Sequence, residues 1–153
     1  MSQEVVVGVD GSENSVAALR WAATYAAQTG ATIHAITTWE YPVYADTSGM
    51  VMLPAPDFLI DGAQATLDDA IEQARLGHAT EVVREVVEGH PARVLIDRSA
   101  GAALLVVGRR GHSGIVGAFT GSVATACAHH AQVPLVIVPA RGPKALPHEP
   151  HPA

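Results

Sequence analysis

Five glycines stand between positions 108 and 121: Gly108, Gly111, Gly114, Gly117 and Gly121, followed at once by Ser122. Glycine lets a backbone turn with positive φ and approach a ligand closely. Successive inward N–H groups make a nest for an anion, and a helix opening at Ser122 adds positive partial charge. Arg109, Arg110 and the hydroxyls of Ser113 and Ser122 can complete a phosphate site. His112 is a further candidate, although a lone loop histidine is more often merely exposed. Of the neighbouring Arg109 and Arg110, at least one is expected to point to solvent. A plain flexible connection would also use glycine, so spacing alone leaves that alternative open.

A second unusual stretch is Gly8-Val9-Asp10-Gly11-Ser12. Asp10 can accept hydrogen bonds from a ligand, or Asp-Gly-Ser can be local turn chemistry that caps a helix. Gly8 can likewise serve close helix–strand packing. Two familiar nucleotide loops are excluded. The P-loop needs G-x-x-x-x-G-K-[ST], and the only lysine is Lys144, near the C-terminus. The dinucleotide pattern G-x-G-x-x-G would follow the first strand, and GVDGSEN does not supply it.

The elements that must carry these stretches alternate. Val5–Val9 is a β-branched run that reads as a strand buried on both faces. A helix is expected over 15–29, with Val16, Leu19, Ala23 and Ala26 on one face and Gly30 as C-cap. Strand 32–38, helix 58–75 ended by Gly77, strand 81–88 and helix 91–100 follow. Strand 104–107, the glycine-rich stretch, helix 122–131 and strand 135–138 complete the pattern. Alternation of this kind implies right-handed crossovers, a mostly parallel sheet and one doubly wound α/β domain. Such sheets bind ligands beyond the carboxyl ends of their strands, where strand order reverses. If the first and fourth strands are neighbours, the Asp10 and Gly108 stretches face one crevice. Residues 39–56 form a long irregular connection with Pro42, Pro54 and Pro56, read as a functional flap or a mobile loop. Residues from 141 are rich in Pro and His and read as a flexible tail.

Composition narrows the function. The 153 residues suit one domain. Nine basic and 15 acidic residues, a formal charge of −6, argue against nonspecific nucleic-acid binding. One cysteine, Cys127, permits no intramolecular disulfide, and its helical company of Val123 and Ala126 makes it a core residue. His129, His130, His148 and His151 lack metal-site spacing, so no metal site is expected. The opening MSQEVVVGVDGS has no basic n-region and too short an apolar run for a signal peptide, and no run reaches a membrane span. A cytoplasmic location is the expectation.

Gly108-x2-Gly111-x9-Gly121-Ser122 matches the G-2x-G-9x-G-[ST] signature of the universal stress proteins at every fixed position. The start VVVGVDGSENSVAALRWA and the closing Val133-Pro134-Leu135-Val136-Ile137-Val138-Pro139 resemble the same family, so the likeness spans about residues 3–140. It implies a five-stranded parallel sheet in order 3-2-1-4-5 and an ATP-binding member, since members without the glycine motif tend not to bind ATP. It implies Gly8 and Asp10 on the ribose and adenine side, with Asp10 accepting from ribose hydroxyls or helping to hold Mg²⁺. Backbone groups near Thr38 would read the adenine edge. Residues Gly108 to Gly114 would wrap ribose and phosphates, with Ser122 and Val123 at the phosphates. It also implies a homodimer, often paired through the last strand, here Leu135 to Val138.

The function so read is a stress-response or energy-state binding factor. Asp10 is the one carboxylate read beside the loop and is assigned to ribose, so no catalytic residue is expected and hydrolysis would be slow. Two alternatives stay open. DGSENS weakly resembles the phosphate loops of ATP pyrophosphatases and adenylating enzymes. An interaction scaffold with a vestigial site is the other.

Overall fold

Val5, Val6 and Val7 are all fully buried, as a strand covered on both faces requires. In the computed structural model, which describes residues 3–41, 54–111 and 121–140, they lie in β1 (Glu4–Gly8). The other elements are α1 (Glu13–Thr29), β2 (Thr32–Trp39), α2 (Pro56–Ala74), β3 (Val82–Glu88), α3 (Pro91–Ser99), β4 (Leu104–Gly108), α4 (Ser122–His130) and β5 (Leu135–Val138). The five strands form one sheet of order β3-β2-β1-β4-β5, and every pairing is parallel. This is the doubly wound α/β arrangement and the strand order expected.

Alternation along β1 sorts the core into two layers. Val5 and Val7 pack with Leu19, Ala22 and Leu67, residues of α1 and α2. Val6 points the other way, to Val94, Leu95, Ala124 and Cys127 of α3 and α4. Small side chains dominate both helix faces, which lets α1 and α2 lie close to the strands. Cys127 is the core residue its helical position predicts. Burial pushes its thiol pKa up, so it stays protonated in the ordinary thiol range.

Local chemistry sets the ends of the elements. Gly30 caps α1 at φ 76°, returning its N–H to the Ala26 carbonyl. The end expected at Gly77 falls earlier: Arg75 takes the left-handed conformation, φ 51°, and its N–H bonds Glu72 O. Pro56 and Pro91 open α2 and α3 at their first turns, where a missing N–H costs nothing. β3 lies at the sheet edge, which explains its polar centre; Arg84 there bonds Asp68 of α2 at 2.7 Å. Most of the connection at 39–56, and the tail from 141, lie outside the described residues. Among the described residues, no helix is long and apolar enough to cross a membrane.

Candidate functional site

β1 sits between β2 and β4, so the order in which strands are added to the sheet reverses beside it. Strand pairing of Val5–Val7 with Leu104–Val106 brings the ends of β1 and β4 side by side. The two loops singled out in the sequence therefore do face one crevice.

The β1–α1 turn is organised by short polar side chains. Asp10 Oδ1 accepts the Ser12 N–H at 2.9 Å, and Gly11 between them sits at φ 83°, a conformation glycine alone adopts without strain. The helix cap is Ser12, not Asp10: its Oγ accepts the Ser15 N–H at 3.2 Å. Asp10 thus shapes the turn while its exposed side chain stays at the crevice.

The glycine loop is closed at its neck. Arg109 N–H bonds Val138 O at 2.8 Å, anchoring the loop to β5. Gly121 N–H bonds Arg109 O at 2.7 Å, drawing the far end of the loop back onto its start. A Cβ on Gly121 would lie 3.2 Å from Arg110 Cα, and one on Gly111 would collide with Asp10 Oδ2. Positive φ is not the reason for these glycines. Among the described glycines it occurs at Gly11, Gly30, Gly89 and Gly101, and not at Gly108, Gly111 or Gly121. Close approach is the reason instead. At Gly108 a Cβ would come within 2.7 Å of the Asn14 backbone, and at Gly8 within 2.6 Å of Leu95 Cδ1. Gly8 and Gly108 therefore have a packing duty as well as a place on the crevice wall.

The crevice encloses about 1040 Å³. Gly8 and Asp10 from the β1 end and Thr38 from the β2 end line it. Gly108, Arg109, Arg110 and Gly111 contribute the β4 end, and Gly121, Ser122 and Val123 the start of α4. His112, Ser113 and Gly114 lie outside the described residues. As the pair was read, the two arginines diverge: Arg109 is exposed, whereas Arg110 is half-buried. Arg110 Nε is shielded and has no hydrogen-bond partner among the described residues. Gly121 is the N-cap of α4 and supplies no side-chain cap, and Ser122, Val123 and Ala124 of the first turn line the crevice.

Backbone direction turns the polar groups of Thr38 to the β1 side. Thr32 N–H bonds Gln3 O and Val9 N–H bonds Ile36 O, so even-numbered residues of β2 turn their polar groups to β1. Ile33 and Trp39 turn theirs to the β3 side. Thr38 lies one rung beyond Ile36, where β1 has ended.

Several wall residues were not anticipated. Leu59 and Ala63 of α2 form an apolar side with Thr66 beside them, and Thr37, Glu40 and His90 also line the space. Glu40 is a second carboxylate on the crevice wall, at the β2 end. Glu40 follows β2 and His90 follows β3, so the rule of ligands at strand ends was the available signal. The α2 residues gave none, since apolar helical spacing reads as core. Trp39 also borders the space, edge-on to Tyr41 at 5.2 Å. No group of three or more metal-binding side chains occurs among the described residues.

The family model described as "Universal stress protein family" matches residues 1–139. The chain belongs to the universal stress protein family. A universal stress protein of Mycobacterium tuberculosis is 36% identical over 136 residues, which cover 87% of this chain and 44% of the relative. The chain spans about half the length of the curated relatives it matches. Among solved structures, a universal stress protein in complex with cAMP is 30% identical, with a TM-score of 0.67, covering 92% of this chain and 98% of that one. The Archaeoglobus fulgidus universal stress protein in complex with dAMP has a TM-score of 0.64 at 21% identity, covering 90% and 98%. That likeness bears on the fold.

Proposed function

We propose that this universal stress protein binds ATP, carried with Mg²⁺, and acts as a stress-response or energy-state binding factor. The observation that carries the reading is the convergence of the β1 turn, the closed glycine loop and the uncapped start of α4 on one crevice. Its volume suits a nucleotide, within the few hundred to about 1,000 Å³ usual for small-molecule sites. The loop amides, Arg110 and the α4 terminus favour phosphates at one end, while the α2 wall suits a base at the other. The cAMP complex of the 30%-identical relative supports an adenine nucleotide as the ligand class.

Asp10 takes the ribose hydroxyls. The residues at the site fit Mg²⁺ only as an ion brought by the triphosphate, which the Asp10 carboxylate would help to hold. Hydrolysis is slow at most: Glu40 is exposed, and efficient transfer needs a held water and charge neutralisation in the transition state. The protein works in the cytoplasm as a homodimer paired through β5, and residues 3–140 are its working domain.

Hydrogen exchange with and without ATP–Mg²⁺ tests the site. Protection should appear at residues 8–12, 108–111 and 121–124. Protection elsewhere, with these segments unchanged, would move the site. The adenylating alternative predicts release of pyrophosphate or AMP with a co-substrate, and the vestigial-site alternative predicts no protection at all.

A further inference from the structure

Thr37 is 5% exposed, and its Oγ1 is buried without a hydrogen-bond partner among the described residues. A buried hydroxyl left unpaired costs free energy, and native proteins rarely keep one. Valine has nearly the same shape and is well suited to a strand, so packing gives no reason for the hydroxyl. Thr37 lines the crevice at the end of β2, immediately before Thr38. Strand alternation puts it on the face of Ile33 and Ala35, toward α1 and α2. There the α2 wall offers Leu59 and Ala63, which are apolar, and Thr66, whose hydroxyl is already given to Gly62 O at 3.0 Å. Among the described residues, Thr37 is thus the uncommitted side-chain hydroxyl on that part of the wall.

We propose that the Thr37 hydroxyl hydrogen-bonds the base of the bound nucleotide and is a specificity-determining residue of the crevice. The inference rests on the nucleotide-binding reading above. A base brings apolar faces and polar edges, which match the apolar residues of this wall and the free Thr37 hydroxyl. The phosphates belong at the opposite end, with the glycine loop and the arginines. A threonine hydroxyl rotates and both donates and accepts, so it pairs with either a ring nitrogen or an exocyclic amine. It acts beside the Thr38 backbone groups, which lie one residue further along.

The test is calorimetric titration of wild type, Thr37→Val and Thr37→Ser with ATP and with base-free tripolyphosphate, plus melting temperatures without ligand. Thr37→Val should weaken ATP about tenfold and leave tripolyphosphate unchanged, as expected for one lost hydrogen bond to a buried polar edge. Thr37→Ser should stay within about threefold of wild type. The ligand-free melting temperature of Thr37→Val should equal or exceed that of wild type, because an unpaired buried hydroxyl has been removed. ATP binding by a folded Thr37→Val equal to wild type overturns the proposal and leaves nucleotide binding intact. Wild type that binds no ATP overturns both.

Discussion

The carboxylate of Asp10 lies where any side chain on residue 111 would have to go. Asp10 belongs to the turn after β1 and Gly111 to the loop after β4, so the two halves of the crevice meet at this contact. Asp10 is held there by the Ser12 N–H. The absence of a side chain at 111 is what lets the glycine loop close down on the β1 turn.

Gly111→Ala should therefore weaken nucleotide binding at least about tenfold, in the range expected for a forced shift of a close contact. The loss should depend on Asp10. In a double-mutant cycle on ATP affinity, Gly111→Ala in an Asp10→Ala background should cost clearly less than in wild type. Additive losses would show that the contact does not organise the site.

Gly108 and Gly8 should differ in what they tolerate. Gly108→Ala drives a methyl into the Asn14 backbone, part of α1, and Asn14 Oδ1 also holds the Ala140 N–H at 2.8 Å. Gly8→Ala meets the end of the Leu95 side chain, which can turn. Urea unfolding should give a loss of about 2–3 kcal/mol for Gly108→Ala and about 1 kcal/mol for Gly8→Ala. Equal losses would contradict the packing account.

How much of this was legible depends on the kind of signal. The unbroken valines of β1 and the glycine spacing after β4 are local patterns, and they gave the parallel sheet and the loop. Element ends were less legible. Arg75 ends α2 before Gly77 because a non-glycine residue can hold the left-handed conformation when the following chain demands it. Ser12 rather than Asp10 caps α1, because both side chains suit a cap and only the three-dimensional turn assigns them. The α2 wall was hidden, since Leu59 and Ala63 share the helical spacing of core residues. Close packing at Gly8 was open to the sequence from its place at a strand end, whereas the packing role of Gly108 needs the position of Asn14, which is remote in the chain.

Ser12→Ala removes the side-chain cap of α1. Stability by urea unfolding should fall by about 1 kcal/mol, the usual worth of such a cap. Ser12→Asn, which can cap equally well, should recover most of it. No loss in the alanine variant would mean the Ser12–Ser15 bond contributes nothing.

β5 lies at an edge of the sheet, and Ile137 within it is exposed. Pairing two copies along this strand would remove an open apolar edge. Light scattering at micromolar concentration should report a dimer for the wild type and a monomer for Ile137→Lys. A monomeric wild type would refute the β5 dimer.

The central claim is tested most directly by calorimetric titration of purified, ligand-free protein with ATP and Mg²⁺, beside Gly111→Glu. A glutamate at 111 collides with the Asp10 carboxylate and brings negative charge to the phosphate end of the crevice. Saturable one-to-one binding by the wild type, abolished in a folded Gly111→Glu, is the predicted result. No binding by the folded wild type, or equal binding by the variant, would contradict it.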